Sequence, residues 1–197
     1  MAKPHQLLLI CGSLRSRSSN AAVLKTVRVL APADTRAVVC EGLSCLPPFN
    51  PDDDEEGAAL PAVVADLRGR IQAADALLLC TPEYAGGLPG SFKNLLDWTV
   101  GGGELYGKPV AWINASSTAS PTGGADAHAS LRKVLEYTGA QIVEAACVRV
   151  PVSRQAVGAD GLIHEPALRR ELGQVVATLR DYLRRQATPR SGRDNGP

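Results

Sequence analysis

Short, apolar runs of strand length are the feature that most constrains the fold of this chain. They occupy residues 6–11, 75–81 and 109–115. A strand of a parallel sheet is buried on both faces, so it reads as an apolar run without alternation. Segments with apolar residues at helical spacing follow these runs. Residues 35–40 and 141–150 have the composition of two further strands.

This alternation predicts an α/β fold with five β-strands in a parallel sheet and helices on both of its faces. Two topologies remain open, namely the doubly wound order 2-1-3-4-5 and a truncated dinucleotide-binding fold. In both, the ligand site lies at the carboxyl ends of the strands, near the switch between strands 1 and 3. Residues 1–187 are predicted to form a single domain, and residues 188–197 a disordered tail.

Composition excludes several classes of protein. The chain of 197 residues has 21 Lys and Arg against 20 Asp and Glu, a balance that argues against a dedicated nucleic-acid binder. No apolar run approaches the roughly 20 residues of a membrane span, and the N-terminal run is too short for a signal peptide. We therefore expect a cytoplasmic protein without nucleic-acid or membrane partners. The acidic run 52–56, within a long loop over 41–58, is predicted to be a solvated surface.

Cysteine and histidine positions predict neither a metal site nor a disulfide framework. The five cysteines are widely spaced, and the three histidines lie near none of them. Three cysteines fall within apolar runs and are expected to be small buried hydrophobic residues, whereas Cys45 lies in loop sequence. The histidines are expected at the surface; they are His5, His128 and His164.

The loop after the first strand has the chemistry of an anion site. A phosphate is bound by backbone N–H groups at a helix N-terminus, by hydroxyls and by guanidinium groups. All of these occur together in residues 13–20, where Ser19 or Asn20 is the expected N-cap of the next helix. Neither GxGxxG nor a P-loop is present. The polar side chains of this loop are Ser13, Arg15, Ser16, Arg17, Ser18, Ser19 and Asn20.

The loops after the third and fourth strands are built for close approach to a flat molecule. Residues 81–87, Thr-Pro-Glu-Tyr-Ala-Gly-Gly, combine an aromatic ring with two glycines. Residues 116–124 are small and polar and end in Gly123-Gly124. A ligand that carries a phosphate and a planar ring fits one such anion site beside two tight backbone surfaces.

These motifs together resemble the NADPH-dependent FMN reductase family. The pattern Gly12-Ser-Leu-Arg-x-x-Ser-x-Asn20 is similar to the phosphate loop of that family. Thr81-Pro-Glu-Tyr84, Pro89-Gly90 and Lys93-Asn-Leu-Leu-Asp-Trp98 are similar to its flavin-ring segment. The resemblance covers residues 6–183. It implies a flavodoxin-like sandwich, bound FMN, and hydride transfer from NADPH or NADH to a flavin, quinone or similar small-molecule acceptor.

The resemblance also implies roles for individual residues. It implies that the first loop binds the FMN phosphate through Ser13, Arg15, Ser18, Ser19 and Asn20. It implies that the second and third loops bind the isoalloxazine ring. The residues concerned are Pro82, Glu83, Tyr84, Ala85, Gly86, Ser116, Ser117 and Gly123. Two departures occur, because the family usually has Asn where this chain has Ala85 and commonly has Ser where it has Gly87.

Tyr84 is the residue of this set that can neighbour the ring or donate a proton, and packing against a partner chain explains it equally well. The resemblance implies a homodimer or homotetramer with the flavin near a subunit interface. Three alternatives remain open: a flavodoxin-type electron carrier, a flavin-binding regulatory protein with little turnover, and a flavin-free protein that binds another phosphate compound.

Overall fold

The computed structural model describes residues 3–55, 57, 59–117 and 120–187. Helices and strands alternate along the chain. They are β1 (His5–Cys11), α1 (Ser19–Leu30), β2 (Thr35–Cys40), α2 (Ala62–Ala73), β3 (Ala76–Cys80), α3 (Gly90–Asp97), β4 (Pro109–Asn114), α4 (Ala125–Tyr137), β5 (Gln141–Ile142), β6 (Val148–Arg149) and α5 (Pro166–Ala187). Short 3-10 turns occupy Leu43–Cys45, Pro51–Asp54, Glu144–Ala146 and Arg154–Ala156.

The strands form one parallel sheet in the order β2-β1-β3-β4-β5. Strand β1 lies between β2 and β3, with Leu7 opposite Ala37 on one side and Ala76 on the other. The predicted doubly wound order is therefore confirmed. From β1 the chain adds β2 on one side and then crosses over to add β3, β4 and β5 on the other side. The carboxyl ends of β1 and β3 therefore flank the switch point.

The last strand differs from the prediction. Residues 141–150 do not form one continuous strand, because β5 and β6 are separate two-residue pairings with β4. Between them the chain leaves the sheet in the 3-10 turn Glu144–Ala146. This detour places the Glu144 carboxylate against Arg132 of α4, with N–O distances of 2.5 and 2.8 Å.

Two hydrophobic cores cover the two faces of the sheet. In β1, Leu7 and Leu9 pack toward α1 and α5, whereas Leu8 and Ile10 pack toward α2 and α3. None of these four residues is more than 4% exposed. Since these successive positions of the strand are all buried, the strand shows an apolar run rather than an alternating pattern.

The acidic run in the 41–58 loop is only partly solvated, which corrects the sequence-based expectation. Asp52, Asp53 and Glu55 are exposed, but the Asp54 side chain is only 7% exposed and contacts Arg68 of α2. Arg68 donates two hydrogen bonds to the Asp54 carboxylate, at 2.6 and 2.8 Å, and a third to the Trp98 carbonyl at 2.7 Å.

A second carboxylate reaches the same guanidinium. The Glu104 Oε1 atom lies 3.6 Å from Arg68 Nε, and the Arg68 and Glu104 side chains are each 10% exposed. Arg68 therefore fastens the acidic loop and the glycine-rich segment after α3 to helix α2. The predicted tail, residues 188–197, lies outside the described residues. The single domain over residues 1–187 stays a prediction. Among the helices that the structure describes, none is long and apolar enough to cross a membrane.

Candidate functional site

A cleft of about 590 Å³ opens at the carboxyl end of the sheet. It is bordered by the loops after β1, β3, β4 and β6. Ten of the predicted site residues line it, namely Ser13, Arg15, Ser18, Ser19, Asn20, Pro82, Glu83, Tyr84, Ser116 and Ser117. Ala85, Gly86 and Gly123 are not among its lining residues. The topology thus brings together three loops that are far apart in sequence.

The first loop leads into α1, and the structure places the N-cap at Ser18 rather than at Ser19 or Asn20. The Ser18 hydroxyl oxygen accepts a hydrogen bond from the Ala21 amide, at 3.4 Å. Ser19 begins the helix, and its first turn contains no acidic residue. The positive end of the helix dipole therefore faces the cleft without a carboxylate of its own first turn to neutralise it.

Two thiols support this loop from the sheet. Cys80 donates from Sγ to the Asn20 side-chain oxygen at 3.1 Å, and Cys11 donates to the Ser13 carbonyl at 3.6 Å. Cys80 is fully buried, whereas Cys11 is half-buried. Burial raises the pKa of both thiols. They therefore stay protonated as donors and position the loop, a role beyond that of the small hydrophobic residues expected from sequence.

Arg15 and Arg17 are exposed at the rim of the cleft. Neither forms an ion pair with an acidic side chain among the residues that the structure describes. An Arg without a carboxylate partner keeps its whole charge and its forked donor geometry for an incoming anion. The loop therefore combines a helix N-terminus, hydroxyls and guanidinium groups around one point.

The loop after β3 closes on itself in a tight turn. Tyr84 and Gly87 exchange two backbone hydrogen bonds, at 3.0 and 3.1 Å. Ala85 has φ +50° and Gly86 φ +73°, the positive values of a type I′ turn, for which Asn-Gly is the preferred pair. The turn leaves the Tyr84 side chain 53% exposed at the cleft. Asn tolerates positive φ better than Ala does, so this turn conformation by itself favours Asn at position 85.

Replacing Ala85 by Asn is expected to stabilise the protein. An L-residue in the left-handed region costs about 1–2 kcal/mol, and Asn tolerates that region better than Ala. We expect Ala85→Asn to raise Tm by about 1–3 °C in thermal unfolding without ligand. Ala85→Val, with a branched Cβ, is the matched control and should lower it. A higher FMN affinity at unchanged Tm would instead indicate a direct contact between the introduced amide and the ligand.

Glu83 uses its carboxylate to hold the start of α4. Its two oxygens accept hydrogen bonds from the Thr122 hydroxyl at 2.5 Å and from the Asp126 and Ala127 amides at 3.0 and 3.1 Å. These hydrogen bonds, with that of Thr122 first, lower the pKa of Glu83. The sequence indicated a backbone role for this residue, whereas its side chain joins the second loop to the third.

Glu83→Gln is expected to destabilise the protein in a pH-dependent way. The folded state lowers the pKa of Glu83, so its carboxylate contributes fully above the unfolded value of 4.5 and loses this contribution as pH falls through the folded value. The difference in Tm between wild type and Glu83→Gln should therefore be largest near neutral pH and shrink in acid. Glu136→Gln, on the exposed face of α4, is the control. A difference that does not change with pH would contradict the capping role.

The third loop is fixed by Asn114 and by two glycines. Asn114 accepts a hydrogen bond from the Ser116 amide at 3.0 Å and donates to the Gly123 carbonyl at 2.8 Å. Gly123 and Gly124 have φ +60° and +79°. A Cβ on Gly124 would lie 2.3 Å from the Ser116 hydroxyl oxygen. Only glycine therefore fits beneath the small polar surface that this loop presents.

His128 is buried, which corrects the expectation that all three histidines lie at the surface. It is 8% exposed, and its Nδ1 lies 2.7 Å from the Gly124 carbonyl oxygen. Burial lowers its pKa, an effect larger than the opposing effects of the Gly124 hydrogen bond and of Glu83. The neutral ring donates from Nδ1 to the first turn of α4 and so supports the Gly123-Gly124 corner.

Sequence reasoning missed a fourth wall of the cleft. This wall follows β6 and consists of Val152, Ser153, Arg154 and Gln155. The Val150 and Val152 amides continue the pairing with β4, because they donate to carbonyls of residues 114 and 115. The rule that ligands bind at strand carboxyl ends applied here too, and the polar run over residues 153–155 was its signal.

The fold defines a flavodoxin-like protein, and the cleft lies at its topological switch point. Residues 6–155 match the NADPH-dependent FMN reductase family, and the chain belongs to that family. It is an FMN-dependent oxidoreductase that takes its electrons from NAD(P)H, as the resemblance in its motifs implied.

Curated relatives and solved structures agree with this assignment. The quinone reductase of Escherichia coli is 33% identical over 146 residues, which cover 73% of this chain and 76% of that protein. An NAD(P)H-dependent FMN reductase of Pseudomonas aeruginosa is 32% identical over 187 residues, 94% of this chain and 98% of that protein. The flavoenzyme NAD(P)H:acceptor oxidoreductase FerB from Paracoccus denitrificans has TM-score 0.78 and 28% identity, covering 92% of this chain and 98% of its own.

Proposed function

We propose that this protein uses one open cleft to pass electrons from NAD(P)H to a quinone or a free flavin. The observation that carries the proposal is the continuity of the 590 Å³ cleft, which joins the cationic start of α1 to the exposed Tyr84 ring. Ligand pockets usually occupy about 300–1,000 Å³, so the cleft is of the size that holds a cofactor. Relatives named as quinone reductases support a quinone as acceptor.

The residues present fit FMN. Ser13, Arg15, Ser18, Ser19 and Asn20 offer hydroxyl, amide and guanidinium donors at a helix N-terminus, which is the donor set of a phosphate site. When bound, FMN supplies a ring that accepts a hydride and passes on two electrons. The protein then needs no nucleophile of its own, and its residues bind and orient the two reactants.

We infer that the flavin ring lies between the loops after β3 and β4 and is held largely through their backbone. Pro82, Glu83 and Tyr84 line one side and Ser116 and Ser117 the other, while Ala85 and Gly86 shape the turn and Gly123 the corner behind. We assign Glu83 as a positioning residue, because its carboxylate is occupied by α4. The Tyr84 side chain lines the cleft and is 53% exposed, so its phenol is accessible to a second ligand or to a partner chain.

Steady-state kinetics test the proposal. If nicotinamide and acceptor occupy the same face in turn, double-reciprocal plots with NADPH and a benzoquinone should give parallel lines, and NADPH should compete with the quinone. Intersecting lines would contradict a shared face. FMN-loaded protein that neither NADPH nor NADH reduces would contradict the reductase function and favour an electron carrier or a regulatory protein.

We further propose a cytoplasmic homodimer or homotetramer with the flavin near a subunit interface. Use of NAD(P)H and five free cysteines suit a reducing compartment. The exposed Tyr84 at the cleft gives a partner chain an aromatic anchor beside the ligand. Sedimentation equilibrium of the wild type and Tyr84→Ala tests the assembly, and a monomer in both would contradict it.

A further inference from the structure

A second cleft, of about 710 Å³, adjoins the 590 Å³ cleft proposed to bind the flavin (the flavin cleft). It lies on the other side of the loop after β1, which is the proposed phosphate loop. Its walls are the first turns of α1 and the turn over 157–161 that precedes α5. Arg15, Arg17, Ser18 and Arg154 line both clefts, so these residues stand between them. The rest of the second cleft is lined by residues of the phosphate loop, of α1 and of the turn before α5. They are Ser16, Ala21, Ala22, Lys25, Val157, Gly158, Ala159, Asp160 and Gly161.

This second cleft is cationic. Four of its lining residues are basic, namely Arg15, Arg17, Lys25 and Arg154, and among the described residues Asp160 is its one acidic lining residue. Asp160 is engaged elsewhere, because its carboxylate lies 3.0 Å from His164 Nε2 and accepts a hydrogen bond from the Leu162 amide. None of the four cations is ion-paired with an acidic side chain in the part of the chain that the structure describes.

One FMN phosphate does not account for this charge. A phosphate monoester carries at most two negative charges, and the start of α1 with Arg15 already forms a phosphate site. Lys25 lines only the second cleft, more than one helical turn after the N-cap. The remaining cations are therefore available to a second anion beyond the flavin phosphate.

The other walls suit an adenosine. Ala21 belongs to α1, and Val157 and Ala159 belong to the turn before α5, so small apolar side chains line both walls and suit an apolar base. Adenosine with phosphate groups combines a flat base with two to three anionic centres. The same chemistry occurs in the adenylate half of NADPH and in that of FAD.

We propose that this second cleft binds the phosphorylated adenosine of NADPH, with Lys25 and Arg154 on its 2′-phosphate. The inference rests on the proposed function, because the nicotinamide end of the same molecule then enters the flavin cleft past Arg15 and Arg17. It makes Lys25 a specificity residue that favours NADPH over NADH, since NADH lacks the 2′-phosphate.

Lys25→Gln tests the proposal, and Lys133→Gln, the same change at an exposed site on α4, is its control. For the FMN-loaded protein we expect Lys25→Gln to raise KM for NADPH by about 10-fold or more, the effect of one charge-assisted contact with a phosphate. KM for NADH and the Kd for FMN should stay unchanged. Equal effects on NADPH and NADH, or no effect on either, would overturn the proposal.

Calorimetric titration separates this inference from the proposed function. Adenosine 2′,5′-bisphosphate should bind the FMN-loaded wild type more tightly than adenosine 5′-monophosphate, and Lys25→Gln should remove the difference. The expected difference between the two nucleotides does not depend on whether a pyridine nucleotide reduces the protein. A protein that no pyridine nucleotide reduces would contradict only the proposed reductase function. If Lys25→Gln instead weakens FAD binding to the flavin-free protein and leaves the bisphosphate unaffected, the cleft belongs to FAD and the proposal is wrong.

Discussion

Arg68→Ala is expected to lower the free energy of unfolding by about 3–5 kcal/mol, the cost of removing one partner of a buried ion pair. Without the guanidinium, the Asp54 and Glu104 carboxylates remain, 7% and 10% exposed, with no described cation to balance them. The Trp98 carbonyl also loses its side-chain donor. Denaturant unfolding at neutral pH measures the change.

The neighbouring Arg70 provides the control on the same helix. Arg70 pairs with Asp66 at 2.8 Å, but both side chains are largely exposed, so Arg70→Ala should cost at most about 1 kcal/mol. Equal destabilisation by the two substitutions would show that the Arg68 cluster is solvated.

Arg15→Ala is expected to weaken FMN binding by about 10–150-fold, which corresponds to about 1.5–3 kcal/mol for a charge-assisted contact with phosphate. Arg15 lines the cleft beside the start of α1 and has no acidic partner among the described residues. Its guanidinium is therefore available to the ligand. Fluorescence titration of the flavin-free protein measures the Kd.

Riboflavin provides the matched ligand for this experiment, because it has the same ring without the phosphate. Arg15→Ala should leave riboflavin binding nearly unchanged, and Arg28→Ala, an exposed Arg in the last turn of α1, should leave both ligands unchanged. An equal loss for FMN and riboflavin would place Arg15 at the ring or in the fold of the loop rather than at the phosphate.

Local sequence determined most of the strands and most of the cleft, but it left the strand order open between two topologies. The run of residues 6–11 and the run of residues 75–81 each had to be buried on both faces, which only the interior of a parallel sheet provides. Because parallel strands end at the same edge, polar loops directly after the strands had to meet there. The phosphate loop, the Tyr84 turn and residues 116 and 117 lie together for this reason.

The tertiary structure decided the roles that depend on distant partners. Asp54 reads as one member of a solvated acidic run, and only the position of Arg68 buries it. Glu83 became a helix cap because the start of α4 lies beside the loop after β3. His128 is buried where its ring donates a hydrogen bond to the Gly124 carbonyl at the start of α4. The division of residues 141–150 into two short strands likewise depended on how they meet β4.

The second cleft shows the same division most clearly. Arg15 and Arg17 read from the sequence as part of the phosphate loop, whereas Arg154 reaches the same cleft only because the chain after β6 packs beside α1. A local pattern fixes which backbone conformation a segment prefers and which face it buries. The pairing of charged and polar groups depends on contacts across the fold, between residues as far apart as Glu83 and Ala127, and these exist only once the chain has folded.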